Sequence, residues 1–344
     1  MRGRFLTSGY AAPAEEGLRC WYYDTQTGTI MQRWALRGLN SPTYLLSHPN
    51  GRVLYSTEKG AEPDHNGSLV TYALEEDGAK VLSRLNTGGV SPCHISRDEQ
   101  GEFIFASNYA SGSISVFRMD GEGMPTERCC LVQHQGHGAH CERQDGPHVH
   151  YAMCRGNLVY VCDLGLDTVF CYRLDRGTGT LSPTERNYHT APGDGPRHLA
   201  FHPTLPDCVS LLTELTGKVY VLRQTDCGLK TVQVRSALPE GFCGENTAAA
   251  IRYTEDGAFL LTSNRGHDSI AVFEVQSDGT LSEAVFSSSG GSGPRDFHMT
   301  GNIVLSSNQY TGELAVLELD QKKRRLQPVA QTSNAGQPTC VLPL

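Results

Sequence analysis

The sequence predicts an all-β fold, a propeller of seven four-stranded blades in which one blade is shared between the two chain ends. Three observations carry this expectation. A short motif returns about every fifty residues, a second motif runs in phase with it, and the segments between alternate with period two and show no sustained helical periodicity.

The first motif is a proline, preceded by Ser or Gly in all copies but the last, before an apolar strand. It stands at Ser41-Pro42-Thr43-Tyr44, Ser91-Pro92-Cys93-His94, Gly146-Pro147-His148-Val149-His150, Gly195-Pro196-Arg197-His198, Gly293-Pro294-Arg295-Asp296 and Gln337-Pro338-Thr339-Cys340. A degenerate copy, Thr247-Ala248-Ala249-Ala250, lacks the proline. Successive starts at 42, 92, 147, 196, 248, 294 and 338 lie between 44 and 55 residues apart, the size of one blade. The second motif is an apolar strand ending in a small and a polar residue. Its copies end at Glu58, Asn108, Asp163, Glu214, Asn264 and Asn308. Alternating strands such as 112–117 and 268–273 follow after a short turn. Six copies fill residues 42 to about 336. The remaining strand at 337–344 joins three at the N-terminus, 4–8, 18–24 and 29–36, to make a seventh blade with no open edge. Residues 1–344 then form a single domain.

The chain of 344 residues is long enough for a large core without disulfide or metal staples. Its net charge of −8 argues against nucleic acid or an anionic membrane as partner. There is no run of 18 apolar residues, and the first residues turn polar too early for a signal peptide, so the chain reads as cytoplasmic. The twelve cysteines include no CxxC pair and are expected to be buried, reduced thiols.

Blade topology locates a site. The first strand of a blade is innermost and the second returns beside it, so the start of one and the end of the other share a face. Thr43, Cys93, His148, Arg197, Ala249, Arg295 and Thr339 form one expected ring; Glu58, Asn108, Asp163, Glu214, Asn264 and Asn308, with Gly9, form the other. Ionisable groups gathered at one mouth are what a binding or catalytic site needs. Turns such as His48-Pro49-Asn50-Gly51 and Thr254-Glu255-Asp256-Gly257, on the opposite face, read as plain hairpin chemistry.

At these residues the chain resembles the cycloisomerase-type 6-phosphogluconolactonase family, propeller lactonases similar to fungal carboxy-cis,cis-muconate cyclase. The resemblance covers essentially the whole chain. It is carried most specifically by Glu142-Arg143-Gln144-Asp145-Gly146-Pro147-His148-Val149-His150, Val161-Cys162-Asp163-Leu164-Gly165, Gly195-Pro196-Arg197-His198-Leu199-Ala200-Phe201-His202-Pro203 and Ser263-Asn264-Arg265-Gly266. It implies a metal-free, cofactor-free site with a His, a Glu and two Arg. These fall on Arg197, Glu214, Arg265 and either His148 or His150, with His150 favoured by counting back from Cys162-Asp163.

The chemistry can also be argued from the residue types. A phosphorylated sugar lactone is an anion, and arginine forks match phosphate oxygens in bidentate fashion. Arg197, Arg265 and Arg295 are candidates to hold that phosphate and to polarise the lactone carbonyl. Hydrolysis needs a general base and an oxyanion stabiliser. Glu214 or His150 can be the base; Glu214 is preferred, with His150 orienting water or protonating the leaving oxygen. His148, Asn108, Asp163 and Asn264 complete the expected substrate contacts. The competing reading of Glu214 is a salt bridge to a neighbouring arginine.

The tract His134-Gln135-Gly136-His137-Gly138-Ala139-His140-Cys141 has a spacing that suggests zinc, yet reads better as a polar loop across the channel mouth. The ring from Glu58 to Asn308 offers oxygen ligands for calcium, but three arginines on the same rim would repel a divalent cation. The expected function is hydrolysis of 6-phosphogluconolactone, a small anionic sugar lactone, by a monomer or weak homo-oligomer. The alternatives are another anionic lactone, such as a muconate type, and a non-enzymatic scaffold, although no Trp-Asp repeat signature is present.

Overall fold

The computed structural model describes residues 1–61 and 65–344. Among these residues the only helical element is the three-residue 3-10 turn Leu164–Leu166. The strands form seven antiparallel sheets, so the all-β, seven-blade organisation expected from sequence is observed. Six sheets have four strands. The seventh departs from that pattern, because the short strand Tyr188–His189 adds to Thr168–Asp175 by pairing with Thr168 and Val169.

The chain divides into two compact units. Residues 1–10, 18–35 and 198–344 form the first. One of its sheets is built from both chain ends, in the order Gln337–Pro343, Arg2–Tyr10, Leu18–Asp24, Thr29–Leu36. Pairing runs from Phe5 opposite Pro343 to Tyr10 opposite Gln337, which is the shared blade expected from the terminal strands. Cores lie between neighbouring sheets. Cys208, Leu212 and Val221 pack with Ala248, Ile251 and Leu260; Leu261 and Val272 pack with Phe297 and Val304; Leu305 and Val316 pack with Phe5, Trp21 and Val341. Every residue of Phe259–Arg265 is buried, with Phe259, Leu260 and Leu261 in the cores and the polar Thr262, Ser263, Asn264 and Arg265 toward its end. The outer strand Gly228–Ser236 is instead largely exposed or half-buried.

Residues 11–17 and 36–197 form the second unit. Its cores repeat the arrangement, with Tyr55 and Leu69 against Ile95 and Phe117, and Phe103 and Val116 against Val149 and Val161.

The first strand of several sheets carries a β-bulge at the same repeat position. Pro92 pairs with Asn108 and His94 with Ser107, so the register shifts at Cys93. Pro294 and Asp296 bracket Arg295 in the same way, Val149 and Tyr151 bracket His150, and Pro338 and Cys340 bracket Thr339. A bulge re-aims one side chain out of the pleat. It also corrects the phase of the third blade, since Val149 stands where the other sheets have proline. His150, not His148, is thus the counterpart of Arg295. The Gly146-Pro147 pair lies two residues upstream of the true start.

All twelve cysteines are free thiols, but Cys141, Cys227 and Cys243 are exposed, so the burial expected of them holds only in part. Among the described residues, no helix is long and apolar enough to cross a membrane.

Candidate active site

In the first unit, Glu214 follows the strand Cys208–Thr213 and Arg265 ends the strand Phe259–Arg265. Arg265 Nη2 stands 3.1 Å from Glu214 Oε2, and each side chain is only 6% exposed. The segment lacking the blade-start proline ties the pair down. Ala248 N donates to the Glu214 carbonyl at 3.0 Å, while Arg265 Nε and Nη2 donate to the carbonyls of Thr247 and Ala248, both at 3.2 Å. Gly266 makes this approach possible. Its φ is +117°, and a Cβ there would lie 2.1 Å from the Glu245 carbonyl oxygen. The ion pair expected as the competing reading of Glu214 is therefore real. It also places a carboxylate and a guanidinium in a shielded spot, where a base and an oxyanion stabiliser are worth most.

Arg197, the last residue of the second unit, lies in the strand Pro196–Phe201 and is buried. Asn264 is fully buried; its Nδ2 donates to the Ala237 carbonyl at 2.6 Å and to Ser269 Oγ at 3.3 Å, contacts that hold the hairpin. Arg295 is half-buried. It donates from Nη1 to Gln309 Oε1 at 3.1 Å and lies over the Tyr10 ring, 5.5 Å from its centroid.

In the second unit, the Tyr109 ring stacks on His148 at 4.5 Å and meets His150 edge-on at 5.6 Å. His148 Nδ1 lies 3.1 Å from the Tyr109 carbonyl, and Nε2 lies 3.2 Å from Asp145 Oδ1. His150 is buried. Asp163 is fully buried with both oxygens occupied. Oδ1 accepts from His148 N at 2.7 Å and Gly165 N at 3.0 Å; Oδ2 meets His134 Nδ1 at 2.6 Å. His134 Nε2 in turn meets the Tyr172 hydroxyl at 2.9 Å. Burial, reinforced by the Asp163 charge, pushes the Tyr172 phenol up to about 12, so it stays protonated. Asp163 thus acts on the His148 backbone. Asn108 is also fully buried, and donates to Ser113 and Ser115. Glu58 is held by Arg84 at 2.8 Å and by Asn40 N at 2.7 Å.

The chain matches the family described as Lactonase, 7-bladed beta-propeller, over residues 4–343. It belongs to that family. It is a hydrolytic enzyme of lactone esters with the seven-bladed propeller fold. A 6-phosphogluconolactonase of Bacillus subtilis (strain 168) is 36% identical over 341 residues, covering 96% of this chain and 95% of that protein. A crystal structure of a Lactobacillus plantarum protein is 30% identical, with a TM-score of 0.90 and full coverage of both chains. The periplasmic gluconolactonase of Pseudomonas aeruginosa is 26% identical, with a TM-score of 0.92 over 100% of this chain and 99% of that one.

In this lactonase the zinc-like tract is dispersed. His134 is turned inward to Asp163, whereas His140 Nδ1 accepts from the backbone of Glu142 and Arg143. Among the described residues, no three His, Cys, Asp or Glu side chains stand together as a ligand set. Sequence reasoning missed Tyr109, Gln309 and Tyr10. A signal for them exists, because each directly follows a strand-ending residue of the second motif, as Arg265 follows Asn264.

Proposed function

We propose that this lactonase hydrolyses 6-phosphogluconolactone to 6-phosphogluconate by metal-independent general-base catalysis. The buried Glu214–Arg265 pair is the observation that carries this reading. Water adds to the lactone carbonyl as the Glu214 carboxylate takes its proton, and the oxygen that becomes negative is stabilised by Arg265. Collapse breaks the bond between the acyl carbon and the ring oxygen. The ring oxygen leaves as a hydroxyl after receiving a proton, and the product is a carboxylate. We keep for His150 the role of orienting water or protonating the leaving oxygen, and for Arg197 that of binding substrate anion. The name of the Bacillus subtilis relative supports the phosphorylated substrate. A sugar phosphate does not cross membranes unaided, so the same reading places the enzyme in the cytoplasm, as a single-domain monomer or weak homo-oligomer.

The Pseudomonas aeruginosa neighbour favours a second reading, the unphosphorylated gluconolactone. Initial rates above spontaneous opening decide between them, using 6-phosphogluconolactone, gluconolactone and a muconate-type lactone with and without EDTA. The proposal expects the phosphorylated lactone to have the highest kcat/KM and EDTA to leave it unchanged. Loss on chelation, restored by a divalent cation, or preference for another lactone overturns it.

A further inference from the structure

Five arginines of the first unit are paired with carboxylates. Arg2 meets Asp24, Arg252 meets Asp296, Arg223 meets Asp207, Arg235 meets Glu283 and Arg265 meets Glu214. Arg295 is different. Among the described residues it has no carboxylate within ion-pair distance, although it is half-buried and sits on a bulge that turns it out of the pleat. Its environment is neutral, made of the Gln309 carbonyl and the face of Tyr10. Gln309 is buried, and its backbone N–H donates to the Gly293 carbonyl at 2.8 Å, so the acceptor that orients the guanidinium is itself fixed.

A guanidinium partly removed from water without a counter-charge is a standing electrostatic cost unless a ligand brings the anion. The Gln309 contact engages one N–H of the fork and the Tyr10 ring lies beside the guanidinium, and the fork's other donors are of the kind that meet two oxygens of a phosphate. Arg295 also sits on the sheet next to the one that carries Arg265: Arg252 Nη2 of that sheet donates to Asp296 at 3.0 Å. Arg265 is committed to Glu214 and two carbonyls, whereas Arg295 is committed to no charge.

We propose that Arg295, set by Gln309 and Tyr10, is the subsite for the substrate's phosphate monoester, and that it discriminates phosphorylated from unphosphorylated lactones. This inference rests on the lactonase reading above and names the group that confers its selectivity. Two variants test it. Arg295→Gln removes the charge, and Gln309→Glu leaves the arginine in place but supplies an internal carboxylate. Each should raise KM for 6-phosphogluconolactone about 10- to 150-fold, the equivalent of losing one charge-assisted hydrogen bond. Gluconolactone kinetics should stay within about threefold of the parent enzyme, since that substrate has no phosphate to lose. Calorimetric titration with inorganic phosphate supplies a readout without turnover, in which the parent enzyme binds and both variants bind at least about tenfold more weakly. Equal losses on both lactones, or unchanged phosphate affinity in both variants, overturn the inference. If the parent enzyme opens neither lactone, the substrate reading fails. The phosphate titration then decides the subsite alone: binding lost in both variants sustains it, and absence of binding to the parent ends it.

Discussion

Arg265 reaches Glu214 at 3.1 Å from the adjacent sheet, with both side chains almost fully enclosed. Breaking such a pair from one side leaves a buried charge uncompensated, which costs about 3–5 kcal/mol. Arg265→Ala should therefore lose stability on that scale in urea unfolding, with little change in m. Arg265→Lys keeps the charge but forfeits part of the hold on the Thr247 and Ala248 carbonyls, and should fall between. A loss below about 1 kcal/mol for the alanine variant would place the pair among weak surface bridges.

The Asp163–His134–Tyr172 chain predicts a second stability effect. His134→Ala strips a partner from a fully buried carboxylate and from a buried phenol. The expected cost is about 2–4 kcal/mol. Tyr172→Phe removes only the far end of the chain and should cost about 1 kcal/mol. Equal costs for the two variants would show that the charge on Asp163 is not what His134 serves.

Removing Gln337–Leu344 deletes the strand that pairs with Arg2–Tyr10 and takes Cys340 and Val341 out of the core. It exposes a sheet edge as well. The truncated chain should melt well below the full-length protein and bind a hydrophobic dye. Coincident melting curves would mean that the terminal strand contributes little to the sheet.

Acid should weaken the fold through two histidines. Burial, with help from Arg252, holds His298 down at about 4, and burial lowers His202 as well, both from 6.5. Once the pH drops below 6.5 the unfolded chain takes up these protons first. Their contribution is thus complete above about pH 6.5 and is lost as the pH falls toward 4. Carboxylates held below 3.8, such as Asp256, act only at still lower pH. The urea midpoint should decline from pH 7 to pH 4.5, and His298→Gln should flatten that decline. An unchanged midpoint over this range contradicts the assignment.

The sheet count and the shared terminal blade are legible in sequence, because proline starts and polar strand ends recur at nearly fixed spacing, whereas Arg265 is named only through the family resemblance. In the third blade the sequence signal runs out of phase with the pairing. Gly146-Pro147 imitates the start motif, yet Val149 occupies the paired position, and a bulge depends on backbone pairing that no residue type announces. The fifth strand Tyr188–His189 is too short for periodicity to register. Asp163, Asn108 and Asn264 stand out in sequence by their polar chemistry, but their partners, distant in sequence or on the next strand, are visible only in the structure. Arg295 was visible as a charge. That its surroundings are neutral is a property of packing.

The central claim is that Glu214 is the base that opens the lactone. It is tested most directly by kcat for 6-phosphogluconolactone above the spontaneous rate, compared between the parent enzyme and Glu214→Gln, each checked for an intact fold by its melting curve. Glutamine preserves shape and can still accept from Arg265, but it removes the charge opposite that buried guanidinium, at a cost in stability, and cannot take a proton from water. The account predicts a fall in kcat of about 10²- to 10⁴-fold with the fold retained. A folded Glu214→Gln enzyme with near-parent kcat would contradict it and leave His150 as the base.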